Sequence, residues 1–305
     1  MAELVSNNGK TDEAPASSLA TFGAVNRDVT IYFIATISMT WLFWIPYAIL
    51  ENGGLPDSIP GPVLEILGAS GPLVVATILV ALREGKRGLR TLYGRLLRFR
   101  IRWYWWLVAL IVPFLVHWVP VLIADSLGLV LARYDNFGGP FPVALLSLLP
   151  WFVLFSLEEV GWRGYALPKM QESRSALRSG ILLGIGWGFW HAPLAFVPGA
   201  VPGAASVWVK IAAIFLFMIM MSLLWTWIFN NTRGSLIMAN FFHVFINTSW
   251  DWLELPDDPE WIFEWILPSL IAIAIISVVA WRWGSNSLSR NGKRVTWSAL
   301  VEGKV

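Results

Sequence analysis

The sequence predicts an all-α polytopic membrane protein, a bundle of about eight transmembrane helices with both termini cytoplasmic. Three observations predict it. Of 305 residues, 56% are apolar and only 14% are charged, whereas soluble domains carry about 25% charged residues; mean hydropathy is +0.62. Eight stretches are apolar over roughly the 20 residues a helix needs to cross about 30 Å of hydrocarbon. The basic residues, finally, fall on alternate connections, as they do when cytoplasmic loops collect Lys and Arg.

The stretches are 29–50, 61–82, 103–124, 141–162, 180–197, 206–229, 235–252 and 262–281. Hydropathy alone defines the first, third, sixth and eighth. The second begins around Pro62 and holds Glu65, and the fourth, fifth and seventh carry polar residues. Segment 83–102 holds Arg83, Lys86, Arg87, Arg90, Arg95, Arg98, Arg100 and Arg102, which places it inside. Arg163 to Arg178, Arg233, and Arg282 to Arg294 then also lie inside. The last outer connection is acidic, with Asp251, Glu254, Asp257, Asp258 and Glu260. Residues 1–28 read as a polar cytoplasmic tail without the apolar core of a signal peptide. Residues 29–283 read as the transmembrane domain, with its core at about 141–252, and residues 284–305 as a second polar tail. Most of the 20 tryptophans, such as Trp103, Trp105 and Trp106, are expected in the interfacial belt. The absence of cysteine excludes disulfides, thiolate metal sites and a cysteine nucleophile.

Ionisable groups within a span cost about 2.5–3.5 kcal/mol on insertion scales, so they normally have a partner or a job. Glu158, Glu159, His191, His243 and His117 stand out. If the fourth helix runs on to Leu167 and ends at Pro168, Glu159 and Arg163 are i,i+4 and pair on one face. Glu158 then lies about 100° away, without that partner. His191 falls near the middle of the fifth span. His243 and Asn247, near the middle of the seventh, are again i,i+4 and face one neighbour. His117 has no polar companion at helical spacing and is read as a packing residue. Such a set suits water activation by a carboxylate, metal-assisted hydrolysis, or a proton relay. There is no His-Glu-x-x-His and no Gly-x-Ser-x-Gly. The repeated halves and broken helices of many transporters are not visible either.

Glu158-Glu159-x-x-x-Arg163, then Trp187-x-x-x-His191, then His243-x-x-x-Asn247, in that order, resemble the CAAX protease and bacteriocin-processing family (CPBP or Abi), which includes the Ras-converting CAAX endopeptidases. The phrase from Glu158 to Gln171 and Arg233-Gly234-Ser235-Leu236 agree, and the resemblance covers about residues 150–250. The family's second motif usually begins with Phe; here that position is Trp187, for which a packing role is expected. The resemblance implies a glutamate-dependent intramembrane endopeptidase. Glu158 would activate water, His191 would orient it, and His243 and Asn247 would stabilise the oxyanion, with Glu159 and Arg163 as a supporting ion pair. It implies no cofactor, with a zinc site of Glu158, His191 and His243 as the alternative. The implied partners are a membrane-anchored or lipidated peptide substrate and the lipid bilayer, with no nucleic acid. The implied place is a prokaryotic cell membrane. Because the carboxylates lie towards the inner, arginine-rich end of the fourth helix, the cavity is expected to open towards the cytoplasm. The alternative function is a non-catalytic scaffold, regulator or bacteriocin-immunity protein of the same family.

Overall fold

The chain is described here by a computed structural model at residues 16–56, 58–134, 141–199, 206–255 and 261–305. The first 15 residues, Asp135 and the acidic residues Asp257, Asp258 and Glu260 lie outside the described residues. The helices are α1 (Ala16–Glu51), α2 (Gly61–Ala69), α3 (Gly71–Gly94), α4 (Trp103–Ser126), α5 (Phe141–Gly161), α6 (Leu167–Met170), α7 (Ala176–His191), α8 (Val207–Asn231), α9 (Leu236–Asp251), α10 (Leu267–Trp283) and α11 (Trp297–Val301). Among the described residues there is no strand, only an isolated antiparallel bridge between Arg133 and Glu254. Among the described residues, five helical runs are long and apolar enough to cross a membrane: 26–51, 61–97, 103–126, 207–231 and 262–283. The protein is an integral membrane protein, and the all-α bundle is as the composition predicts.

Three boundaries differ from the sequence reading. Helix α1 begins at Ala16, so part of the expected N-terminal tail is helical. Helix α3 continues past 82 and is interrupted at Gly85 (φ 61°), a backbone state that glycine adopts without a side-chain clash; the arginine-rich 86–94 is a second helical stretch rather than a loop. The helix bearing Glu158 does not end at Pro168. It passes through a π-helical turn at Trp162–Ala166 into α6. Pro168 has no N–H, so in α-helical register the Gly164 carbonyl would lose its partner, and the buried Arg95 guanidinium donates to that carbonyl instead.

The C-terminal tail is also not a free tail. Leu288, Val295, Trp297 and Leu300 are buried. Gln171 Nε2 donates to the Val295 carbonyl at 2.9 Å, and Asn230 Nδ2 to the Ser287 carbonyl at 2.9 Å. The Trp297 indole N–H points at the Glu84 carboxylate, 2.7 Å from each oxygen. The segment straps together the ends of α3, α6 and α8. Its sequence reads as polar because its backbone, rather than its side chains, supplies many of the contacts.

The cavity-bearing core depends on close helix approach. Helix α5 meets the start of α3 at Gly161, where an added Cβ would lie 2.5 Å from the Pro72 carbonyl carbon and oxygen. Backbone cannot yield as a flexible side chain can. Gly161→Ala is therefore expected to destabilise the protein by about 1–3 kcal/mol. Gly94, where an added Cβ meets nothing within 4 Å, is the control. Thermal unfolding in detergent checks this: an unchanged midpoint for Gly161→Ala, or equal loss for Gly94→Ala, contradicts it.

Candidate active site

The last turn of α5 brings both carboxylates into the interior. Glu159 has a fully buried side chain, and its Oε1 accepts from Arg163 Nη1 at 3.0 Å, one turn on. The same oxygen lies 2.9 Å from His243 Nδ1 on α9. A carboxylate can only accept, so His243 presents Nδ1–H to it and its Nε2 is left for other partners. The His243 ring is stacked parallel on Phe155, with centroids 4.3 Å apart and planes at 1°. Arg163, also fully buried, packs against two tryptophans, 4.2 Å from the Trp187 ring and 4.6 Å from the Trp225 ring. Cation–π contact of this kind strengthens away from water.

Glu158 is held differently. It is 9% exposed, and its Oε2 accepts from the Trp187 indole N–H at 3.0 Å. Its Oε1 has no protein partner among the described residues. Trp187 thus stacks on Arg163 with its face and binds Glu158 with its edge. The sequence reading gave this residue a packing role and missed the hydrogen bond. The available signal was a tryptophan, an obligatory N–H donor, where the resemblance has phenylalanine.

His191 is the last residue of α7, not the middle of a span, because the chain tightens there into a 3-10 turn at Ala192–Phe196 containing Pro193. Its Nδ1 lies 3.0 Å from the Trp187 carbonyl. A carbonyl also only accepts, so the proton sits on Nδ1 and Nε2 of the neutral ring is an acceptor. His117 Nδ1 lies 2.8 Å from Ser249 Oγ across the α4–α9 contact. Asn240, one turn before His243, is fully buried and donates to Ser156 Oγ; this cross-helix pair was not singled out from sequence.

Glu158, His191, His243 and Asn247 line one cavity of about 570 Å³. The remaining lining runs to Glu65, Leu194, Asp251 and Glu264, at the helix ends away from the arginine-rich segment 83–102 and the C-terminal strap. The lining thus leads away from the arginine-rich end, at which the sequence reading expects the cavity to open. Among the described residues, no three His, Asp or Glu side chains converge as metal ligands would. His243 Nδ1 is turned to Glu159 and Glu158 Oε2 to Trp187, which leaves His243 Nε2 and Glu158 Oε1 facing other partners.

Residues 140–249 match the family model described as type II CAAX prenyl endopeptidase Rce1-like. A relative named CAAX prenyl protease 2, from Methanococcus maripaludis, is 29% identical over 253 residues, covering 81% of this chain and 92% of the relative. In both comparisons the chain is similar to CAAX prenyl endopeptidases. It is accordingly a protease, and the matched segment of this CAAX-type endopeptidase contains every lining group discussed above from Glu158 to Asn247.

The Trp187–Glu158 bond gives a specific expectation. Trp187→Phe keeps an aromatic ring over Arg163 and removes the N–H. A hydrogen bond to a charged group is worth about 1.5–3 kcal/mol, so loss of carboxylate positioning should lower kcat/KM about tenfold or more. Rates of a Glu158-dependent cleavage in the two proteins measure this. Equal kcat/KM would remove Trp187 from the machinery.

Proposed function

We propose that the protein is a glutamate-dependent intramembrane endopeptidase in which Glu158 activates water. One observation supports this reading above the others. Two adjacent carboxylates have been given different places: Glu159 is paired through Oε1 with Arg163 and His243 and lies outside the cavity lining, while Glu158, held through Oε2 by Trp187, lines a cavity shared with two histidines and an amide. In the proposed reaction Glu158 takes a proton from water as the water oxygen attacks the peptide carbonyl. His191 Nε2 accepts the second water proton as a hydrogen bond. The carbonyl oxygen becomes an oxyanion beside His243 Nε2 and the Asn247 amide. For His243 to donate from Nε2 while Nδ1–H faces Glu159, the ring carries both protons, and the Glu159 carboxylate offsets that charge. As the C–N bond breaks, the proton held by Glu158 passes to the leaving amine. Substrates are membrane-anchored or lipidated polypeptides, prenylated ones among them, in a prokaryotic cell membrane. They approach from the arginine-poor end.

The test compares peptide termini across the membrane proteome of cells carrying wild type, a deletion, or Glu158→Ala at matched expression. Termini present only with wild type are expected, and Glu158→Ala should cut their rate of formation by about 10²–10⁴-fold, the usual contribution of a general base. His243→Ala and Asn247→Ala should each cost about 10²–10³ in kcat. If Glu158→Ala restores the deletion phenotype in full and no terminus depends on Glu158, the polar cluster belongs to a scaffold. Activity should also survive a zinc chelator; loss on chelation with recovery on added zinc would return the zinc mechanism.

A further inference from the structure

His117 has no part in the proposed reaction, yet the structure puts it in the same chamber. It lies on α4, outside the segment 140–249 that matches the family model. It lines the cavity that holds Glu158 and Asn247, although only 2% of its surface is exposed. The ring is held from three sides. Its Nδ1 lies 2.8 Å from Ser249 Oγ on α9. Phe217 stacks on it with centroids 6.2 Å apart and planes at 27°, and Trp250 packs at 5.8 Å. The neighbouring Trp118 indole donates to the Ser249 carbonyl at 2.7 Å. Two consecutive side chains of α4 thus grip one residue of α9, two positions beyond Asn247.

The hydrogen bonds fix which ring nitrogen faces outward. The Ser249 hydroxyl gives its single proton to the Ile246 carbonyl at 2.9 Å. Its oxygen therefore receives from His117 Nδ1–H, and the neutral ring keeps a lone pair on Nε2. That nitrogen has no protein partner among the described residues, and it is not one of their fully enclosed polar atoms. The surface it keeps belongs to the cavity the residue lines. An acceptor walled by aromatic rings is poorly hydrated, and it costs free energy unless a bound group donates to it. A polypeptide entering the same cavity has the matching need. Each of its residues other than proline carries one backbone N–H, which must find an acceptor once it leaves water.

We infer that His117 is a substrate-binding residue whose Nε2 accepts a hydrogen bond from one backbone N–H of the substrate chain. The contact would set the register of that chain against Glu158, with no proton changing hands at His117. The inference rests on the reading of this cavity as the substrate site and adds a residue to it.

Binding and cleavage can be separated experimentally. Full-length Glu158→Gln protein in nanodiscs is titrated with a farnesylated CAAX peptide and with a series in which each amide in turn is replaced by an ester. The ester removes one N–H and leaves the side chains as they are. Tryptophan fluorescence reports binding, Trp250 being packed on His117. One ester is expected to weaken binding about three- to tenfold, the usual range for a single neutral hydrogen bond. In a second protein that adds His117→Phe, the penalty at that amide should vanish. A purely structural role would weaken amide and ester peptides alike and leave their ratio unchanged. His117→Leu makes the same comparison if the phenylalanine protein unfolds. An ester series without a penalty, a penalty that survives loss of the imidazole, or no binding of the farnesylated peptide overturns the contact. The first and last of these need no variant of His117. Cleavage of the same peptide by protein with Glu158 intact tests the other reading. A penalty cancelled by loss of His117, without Glu158-dependent cleavage, would sink the protease mechanism and leave the contact. Glu158-dependent cleavage without a cancelled penalty would do the reverse.

Discussion

A buried guanidinium sets the terms for the whole active-site region. Arg163 and Glu159 both have fully buried side chains within a lipid-embedded bundle. Removing one member of such a pair typically costs about 3–5 kcal/mol, because the other is left charged and alone. The surrounding helices are arranged to keep that from happening. Helix α7 supplies Trp187 on one side of the guanidinium and α8 supplies Trp225 on another. Helix α9 supplies His243 to the shared carboxylate oxygen. Four helices are thereby fixed around one charge. The same fixation orients the groups that face the cavity: Trp187 cannot leave Arg163 without releasing Glu158, and His243 cannot rotate without giving up Glu159.

The tryptophans show how composition can be right about environment and wrong about place. Trp103 is 73% exposed, as an interfacial residue should be, but Trp105 is buried, and Trp162, Trp190 and Trp225 are fully buried. Large flat rings with a single donor pack against one another and against cations with few rotamers to lose. Trp190 donates to Thr40 Oγ1 at 2.6 Å and meets the His191 ring edge-on at 4.5 Å. Trp225 donates to the Ala239 carbonyl at 3.2 Å. In a bundle without a water-driven hydrophobic effect between helices, association relies on packing and interhelical hydrogen bonds, and tryptophan supplies both.

What could be read from the sequence follows the range of the interactions. The Glu159–Arg163 pair is legible because i,i+4 is a local rule. The all-helical membrane fold is legible because apolar length and basic connections are local too. The Glu159–His243 contact joins residues 84 apart in sequence, and nothing in spacing ties one to the other. The C-terminal strap was read as a tail because its apolar residues are sparse and its carbonyls, which do much of the binding, are invisible to residue type. The direction of the cavity was inferred from the charge of the nearer helix ends. Charge at helix ends says nothing of which side chains line a cavity, and here the lining runs to Glu65, Asp251 and Glu264.

The arginine-rich end and the prolines within the helices answer one another. A proline in the first turn of a helical segment that follows another leaves the carbonyl four residues earlier without its i+4 N–H partner, and a cap N–H, as at Gly68 and Phe189, or a side chain takes its place. At Pro72 that carbonyl belongs to Gly68, and Thr40 Oγ1 of α1 donates to it at 2.7 Å. At Pro193 it belongs to Phe189, and the Trp41 indole donates to it at 3.1 Å. At Pro168 it belongs to Gly164, and Arg95 donates to it. Each interruption becomes a tie to a neighbouring element, and each lies beside a functional segment: Pro72 against Gly161, Pro168 beyond Arg163, Pro193 beyond His191. Similar ties run from Arg98 to the Arg233 carbonyl and from Arg294 to the Arg174 carbonyl. The basic residues that mark one end in the sequence therefore also cap its backbone. The same residue type thus serves as a topological signal in the sequence and as a backbone cap in the fold.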